Sequence, residues 1–321
     1  MKNLVIILVL TALVAAAFHL LLPWSVIVEA RAIDPSLSQT ILIDLRLPRT
    51  LLVIAYGLAL GISGAALQAM FGNPLASPDL TGASSGAALG AVIGGYWLGL
   101  ASPLLLALCG AGGALLTLAL LFAIAGRRAD TPTLLLAGLA VSIAAGAATS
   151  LALALAPSPF AFYDAFDWLM GNFTDRSMAQ ALAASVPALI ACVFLLRLSH
   201  PLDLLALGED VAASLGHSPR RLAATVMVAS GVAVGACVSV AGAIGFVGLI
   251  APFLARRLVR GYPGRAMLPA GLIGVILLLA ADGLVRTIPL DRPIPVGVLT
   301  SLLGTPLFIW LVVRMKRSVT A

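Results

Sequence analysis

The chain has 321 residues, 61% of them apolar and only 10% charged, with 19 Lys+Arg against 13 Asp+Glu for a net charge of +6. No water-soluble fold of this length hides so much apolar surface behind so few charges, which excludes a soluble enzyme, a disordered chain and a disulfide scaffold. The mean hydropathy of +1.11, at roughly 20 residues per helical crossing, predicts an all-α polytopic membrane protein with about ten spans.

Apolar runs separated by Gly, Pro and charge place those spans at 4–22, 50–71, 82–100, 103–126, 132–156, 178–198, 222–241, 244–260, 266–286 and 295–313. Strand-type alternation is missing from these runs, so a helical bundle is expected and not a barrel. The first run follows Lys2 and continues past Ala15-Ala16-Ala17 to Leu22, which suits a retained helix better than a cleaved signal. With ten spans both termini share one side. Loops on that side hold 13 of the 19 cations, including Arg127, Arg128, Arg220, Arg221, Arg256 and Arg257. The positive-inside bias then makes both termini cytoplasmic. The opposite loops keep Arg31, Arg46, Arg49, Arg176, Arg286 and Arg292.

Helix-spaced small residues (Gly57, Gly61 and Gly64; Gly82, Gly86 and Gly90; Gly231, Gly235 and Gly242) predict close helix packing in lipid. Gly61-Ile62-Ser63-Gly64 and Gly82-Ala83-Ser84-Ser85-Gly86 have the form of serine-hydrolase strings. A serine nucleophile needs a base within hydrogen-bond reach. The only histidines are His19, near the end of the first span, and His200 and His217 in a loop, so packing is the expected role of these serines.

The two lysines, Lys2 and Lys316, lack a P-loop context, so ATP hydrolysis is not expected of this chain. Cys109, Cys192 and Cys237 are isolated in apolar runs without metal-ligand spacing. The spans are nearly free of ionisable residues, which argues against ion coupling. Asp282 is the main exception, and Arg286 one turn later is expected to pair with it. Residues 200–221 form the longest cytoplasmic connection and read as two short amphipathic helices, either interfacial or a docking surface for a soluble ATPase.

Several segments in fixed order carry a family likeness: Arg46-Leu47-Pro48-Arg49, GISGAALQAMFGNPLASPDLTGASSGAALG (61–90), TLLLAGLAVS (133–142) and DWLMGNF (167–173). LLALGEDVAASLG (204–216), AGAIGFVGLIAPFLAR (241–256) and PIPVGVLTSLLGTPLFIWLV (293–312) complete them. Over nearly its whole length the sequence resembles the permease subunits of type II ABC importers for iron–siderophores, haem and vitamin B12. The resemblance implies one transmembrane permease domain over residues 1–321, moving an iron–siderophore-type chelate from periplasm to cytoplasm by alternating access. Haem or vitamin B12 is the alternative cargo, and an ion-coupled secondary transporter the alternative class.

By the same resemblance, Leu207, Gly208, Glu209, Ala213, Leu215 and Gly216 couple to the ATPase. Arg46, Arg49 and Arg286 dock the binding protein, and Asn73, Leu75 and Thr131 form the cytoplasmic gate. No catalytic residue, metal ligand or cofactor is expected in this chain, ATP and Mg belonging to the partner ATPase. The implied partners are a second permease subunit (identical or paralogous), two ATPase subunits, a periplasmic binding protein and lipid of the bacterial inner membrane, without nucleic acid. One departure is Phe253, where the family commonly has His after Pro.

Overall fold

A computed structural model of the chain describes residues 2–126, 131–156, 159–259, 261–288 and 294–319. Among them every regular element is helical. In order these are α1 (Lys2–Leu21), α2 (Trp24–Ile33), α3 (Pro35–Thr40), a π turn (Ile41–Arg46) leading into α4 (Leu47–Met70), and a 3-10 turn (Pro78–Thr81). Then come α5 (Ala83–Val92) with a π turn (Ile93–Trp97), α6 (Pro103–Ala125), α7 (Thr131–Ala154), α8 (Pro159–Leu169) and α9 (Met178–Arg197). The short α10 (Ser199–Leu205) and α11 (Glu209–Ser214) precede α12 (Pro219–Ala241), α13 (Val247–Leu258), α14 (Met267–Thr287) and α15 (Val296–Val319).

Seven helical stretches are long and apolar enough to cross a membrane: Lys2–Leu21, Pro35–Met70, Pro103–Ala125, Pro132–Ala154, Met178–Arg197, Pro219–Ala241 and Met267–Thr287. A shorter apolar stretch, Val296–Ile309, begins α15. The runs expected as spans at 82–100 and 244–260 take another form. α5 has 10 residues and α13 has 12, or about 15–18 Å of rise, short of a hydrocarbon core about 30 Å thick. Each is bounded by a glycine with positive φ, Gly82 (φ +77°) before α5 and Gly242 (φ +74°) after α12, where a left-handed backbone ends the helix.

α4 is the central helix. Its glycines admit neighbouring backbones: a Cβ on Gly57 would run into Val275, on Gly61 into Ala270 and Gly271, and on Gly64 into Gly248. α14 therefore runs antiparallel along α4, and α13 crosses its far end. Without a hydrophobic effect between helices in lipid, this close approach supplies the dispersion contacts that hold the bundle. α1 and α6 instead turn broad apolar faces outward, with Leu13, Phe18, Leu104 and Leu116 exposed as expected of lipid-facing helices.

The serines of the hydrolase-like strings lie inside this packing. Ser63 is fully buried, with no hydrogen-bond partner among the described residues. The buried histidine, His19, has both ring nitrogens committed elsewhere, to Thr50 and Asp282. Cys109 likewise packs, its side chain and carbonyl lying against Gly94 and Gly90.

A Gly61→Val substitution is expected to abolish recovery of folded protein, whereas Gly112→Val, which meets open space, should change little. Fluorescence-detected size-exclusion chromatography with a thermal ramp checks both.

Candidate functional site

Three of the sequence motifs meet at one junction. α8 ends at Leu169, α12 stops at Ala241, and α15 begins at Val296. Gly242 packs its Cα against the carbonyl of Trp168, and Gly297 against those of Met170 and Ala243. The interrupted backbone is satisfied internally, as a break at membrane depth requires. Tyr56 Oη donates to Gly242 O (2.9 Å) and accepts from Ile244 N (3.3 Å), Asn172 N donates to Ala241 O (2.8 Å), and Gly297 N donates to Gly171 O (3.1 Å). Alongside runs an open cavity of about 500 Å³ lined by Met170, Ala243, Gly297, Ser301, Leu302 and Thr305. Its small and hydroxyl-bearing walls offer space and a few polar contacts but no charge.

At the end of the bundle carrying the α4 N-terminus, the structure gathers ionisable groups that look scattered in sequence. Asp282, 0% exposed, accepts from Arg49 Nε at 2.8 Å and Nη2 at 2.7 Å, a bidentate fork, and from His19 Nε2 at 2.6 Å. His19 Nδ1 meets Thr50 Oγ1 at 2.8 Å. The pair expected between Asp282 and Arg286 is replaced by this one, because α4 brings Arg49 directly opposite the carboxylate. Arg286 turns instead to the carbonyls of His19 (2.9 Å) and Leu22, and Arg46 to those of Leu20 and Pro23 (both 3.1 Å). The last carbonyls of a helix have no intrahelical donor and carry partial negative charge, so two guanidinium groups there cap α1.

The binding-protein candidates Arg46, Arg49 and Arg286 are thus brought together, each with internal acceptors, and Arg46 is only 5% exposed. The spacing of Arg46, Arg49 and Thr50 on one helix was a readable signal. That His19 joins them follows only from the approach of α1.

At the other end of the bundle, α10 and α11 project from the α9–α12 connection. Gly208 (φ +121°) and Gly216 (φ +86°) make the two sharp turns. Asp203 Oδ1 accepts from Gly264 N at 2.7 Å and holds α10 down. All six coupling candidates, Leu207, Gly208, Glu209, Ala213, Leu215 and Gly216, are exposed. Leu207 at 68% and Leu215 at 57% form an apolar knob outside the bundle, while Leu202 and Ala212 bury the underside.

Beneath the knob a cavity of about 390 Å³ lies between the end of α4 and Arg256, with Glu209 on its wall. Arg256 Nε and Nη2 are buried without a partner among the described residues. Of the gate candidates, Asn73 closes a turn by accepting from Leu75 N at 2.9 Å. Thr131 begins α7, and its side chain lies outside the described set. Phe253, the departure from the family pattern, carries Arg257 over its ring at 4.4 Å.

Removing one partner of a buried ion pair leaves the other charge uncompensated, so Asp282→Ala is expected to cost about 3–5 kcal/mol. The double replacement Arg49→Met with Asp282→Leu should cost much less. Thermal unfolding in detergent compares them, and equal losses would refute the pairing as the source of stability.

A model of the FecCD transport family matches residues 4–314. The vitamin B12 import system permease protein BtuC of Salmonella paratyphi A is 40% identical over 280 residues, covering 85% of this chain and 84% of that protein. The protein of the same description from Salmonella typhimurium is 40% identical over 279 residues, with the same coverage. A solved structure described as an inward-facing conformation of a metal-chelate type ABC transporter superposes with a TM-score of 0.85 at 32% identity, covering 98% of this chain and 100% of that one. The chain belongs to the FecCD transport family, membrane permease subunits of ABC importers whose ATPase resides on a separate subunit.

Proposed function

We propose that the chain forms half of the membrane pathway of a bacterial inner-membrane importer that carries a large metal chelate inward by alternating access. In this reading two permease subunits face each other along the α15 groove, two ATPase subunits bind beneath, and a periplasmic binding protein delivers substrate above. The observation that carries it is the exposed two-helix knob at 204–216. Leu207 and Leu215 present apolar surface in a chain with no nucleotide-binding motif, which is what docking of a separate ATPase requires. Both termini then lie in the cytoplasm with the knob, consistent with the cation excess there. α5 and α13 complete ten crossings or part-crossings with the seven long helices and α15.

The arginine end becomes the outer rim, where Arg46, Arg49 and Arg286 serve docking by fixing the rim's shape. Asn73, Leu75 and Thr131 gate the pathway at the inner end. Glu209 shares its cavity with the unpartnered Arg256 donors, so a tilt of α11 on ATP binding has a charge to follow into the bundle.

The BtuC relatives favour vitamin B12 as the cargo to test first. An iron–siderophore is the second reading, favoured by the metal-chelate description of the structural neighbour. Calorimetric titration of the associated binding protein with cobalamin, haem and a ferric siderophore separates them, and binding of none of the three would reject the metal-chelate class.

Leu207→Ala with Leu215→Ala is expected to lower co-purification of the ATPase at least about tenfold without moving the thermal midpoint, since exposed apolar anchors carry most of such an interface. Uptake that persists in the absence of the ATPase would refute the importer reading.

A further inference from the structure

Of the arginines described at the outer rim, one differs from the capping and paired set. The Arg176 guanidinium has no hydrogen bond or ion pair among the described residues, and its Nε is buried without a partner. Leaving such a donor unmet costs roughly 1–3 kcal/mol, yet the chain around it is built to hold it in place. Phe173 is fully buried, edge-on to Tyr56 with ring centroids 6.2 Å apart. Thr174 N donates to Asn172 Oδ1 at 2.8 Å. Asp175 adopts a left-handed φ of +55°, a conformation that Asp tolerates better than most residues. Immediately after Arg176, Ser177 and Gln180 exchange a capping box that starts α9. Arg49 Nη1 reaches Thr174 Oγ1 at 3.5 Å and ties this loop to the rim.

Arg176 lines a cavity of about 610 Å³ walled by Tyr96, Trp168 and Ser239, with the exposed carboxylates of Asp167 and Asp175 at its edge. The cavity and the α15 groove lie on opposite sides of the end of α8. Leu169 and Met170 face the groove, whereas Asp167 and Trp168 face the cavity. Cargo moving along α15 therefore does not pass Arg176, and the occupant comes from outside. A guanidinium with free donors binds carboxylates in a bidentate fork. The two edge acids repel a multiply charged anion, and they suit a single carboxylate presented next to a cationic or amide-rich surface.

We propose that this cavity receives one Asp or Glu side chain of the substrate-binding protein, with Arg176 as the clamp. The inference rests on the importer reading and adds a docking contact distinct from Arg46, Arg49 and Arg286. It accounts for a rigid loop that ends in an unsatisfied cation.

The test is interferometry on the permease–ATPase assembly in nanodiscs, titrated with the binding protein encoded beside it. Arg176→Gln is expected to weaken docking by about tenfold or more, and Arg176→Lys to restore part of it, because Lys keeps the charge but not the fork. A double-mutant cycle between Arg176→Gln and amide substitutions of the acidic residues on the binding protein's facing surface should show strong coupling at one of them. Single substitutions on the binding protein supply the same readout should Arg176→Gln fold poorly. Docking within twofold of wild type, or equal coupling to every acid, overturns the proposal. Unchanged docking with a raised uptake KM would assign the site to an anionic group of the cargo and also overturn it. A wild-type assembly that docks no binding protein would instead overturn the importer reading beneath it.

Discussion

Close approach of α4 and α14 through Gly57, Gly61, Gly271 and Gly274 sets the rest of the structure. Two antiparallel helices in near-backbone contact have a fixed register, and counting about two turns from the Gly57–Val275 contact reaches Arg49 on one helix and Asp282 on the other. The bidentate pair at 2.7 and 2.8 Å is a consequence of that register. Once formed, it gives His19 an acceptor, which draws in the C-terminus of α1. Arg46 and Arg286 then find the α1 carbonyls within reach. A seam of small residues thereby positions a buried charge network whose members come from three distant parts of the chain.

A second constraint comes from the solvent. Lipid offers no hydrogen bonds to an open backbone, so every break in a crossing helix must be met by protein. The break between α12 and α13 meets this through the hydroxyl of Tyr56, the amide of Asn172 and glycines that let carbonyls close in. The same junction separates two spaces with different chemistry. The groove along α15 is small-walled and uncharged, fitting a passage for bulky cargo. The cavity on the other side carries Arg176 and two acids, fitting a site that grips a partner.

Much of the fold was legible. Six of the expected crossings recur as long helices near their expected bounds, because apolar runs bounded by Gly and Pro leave little alternative. The runs at 82–100 and 244–260 were misjudged in form, since hydropathy records burial and not whether the backbone stays helical. Gly242 and Phe246 adopt positive φ within an apolar stretch, and nothing in the composition of AGAIGF marks the difference. The coupling segment was readable because Leu207 and Leu215 sit in an otherwise polar connection between glycines. The charge network was not: Asp282 has a plausible partner one turn away in Arg286, and only packing shows that Arg49 is nearer and better aimed.

The sequence by itself determined the class. Sparse charge required lipid as solvent, the cation bias gave an orientation, two isolated lysines left no room for a nucleotide site, and ordered motifs identified the permease family. Tertiary structure alone decided which arginines have acceptors and which one does not. Local patterning records the environment of each segment, whereas pairing depends on register between helices that lie hundreds of residues apart. Arg46, Arg49, Arg176 and Arg286 are alike in sequence, and their different roles come from what the bundle places opposite each one.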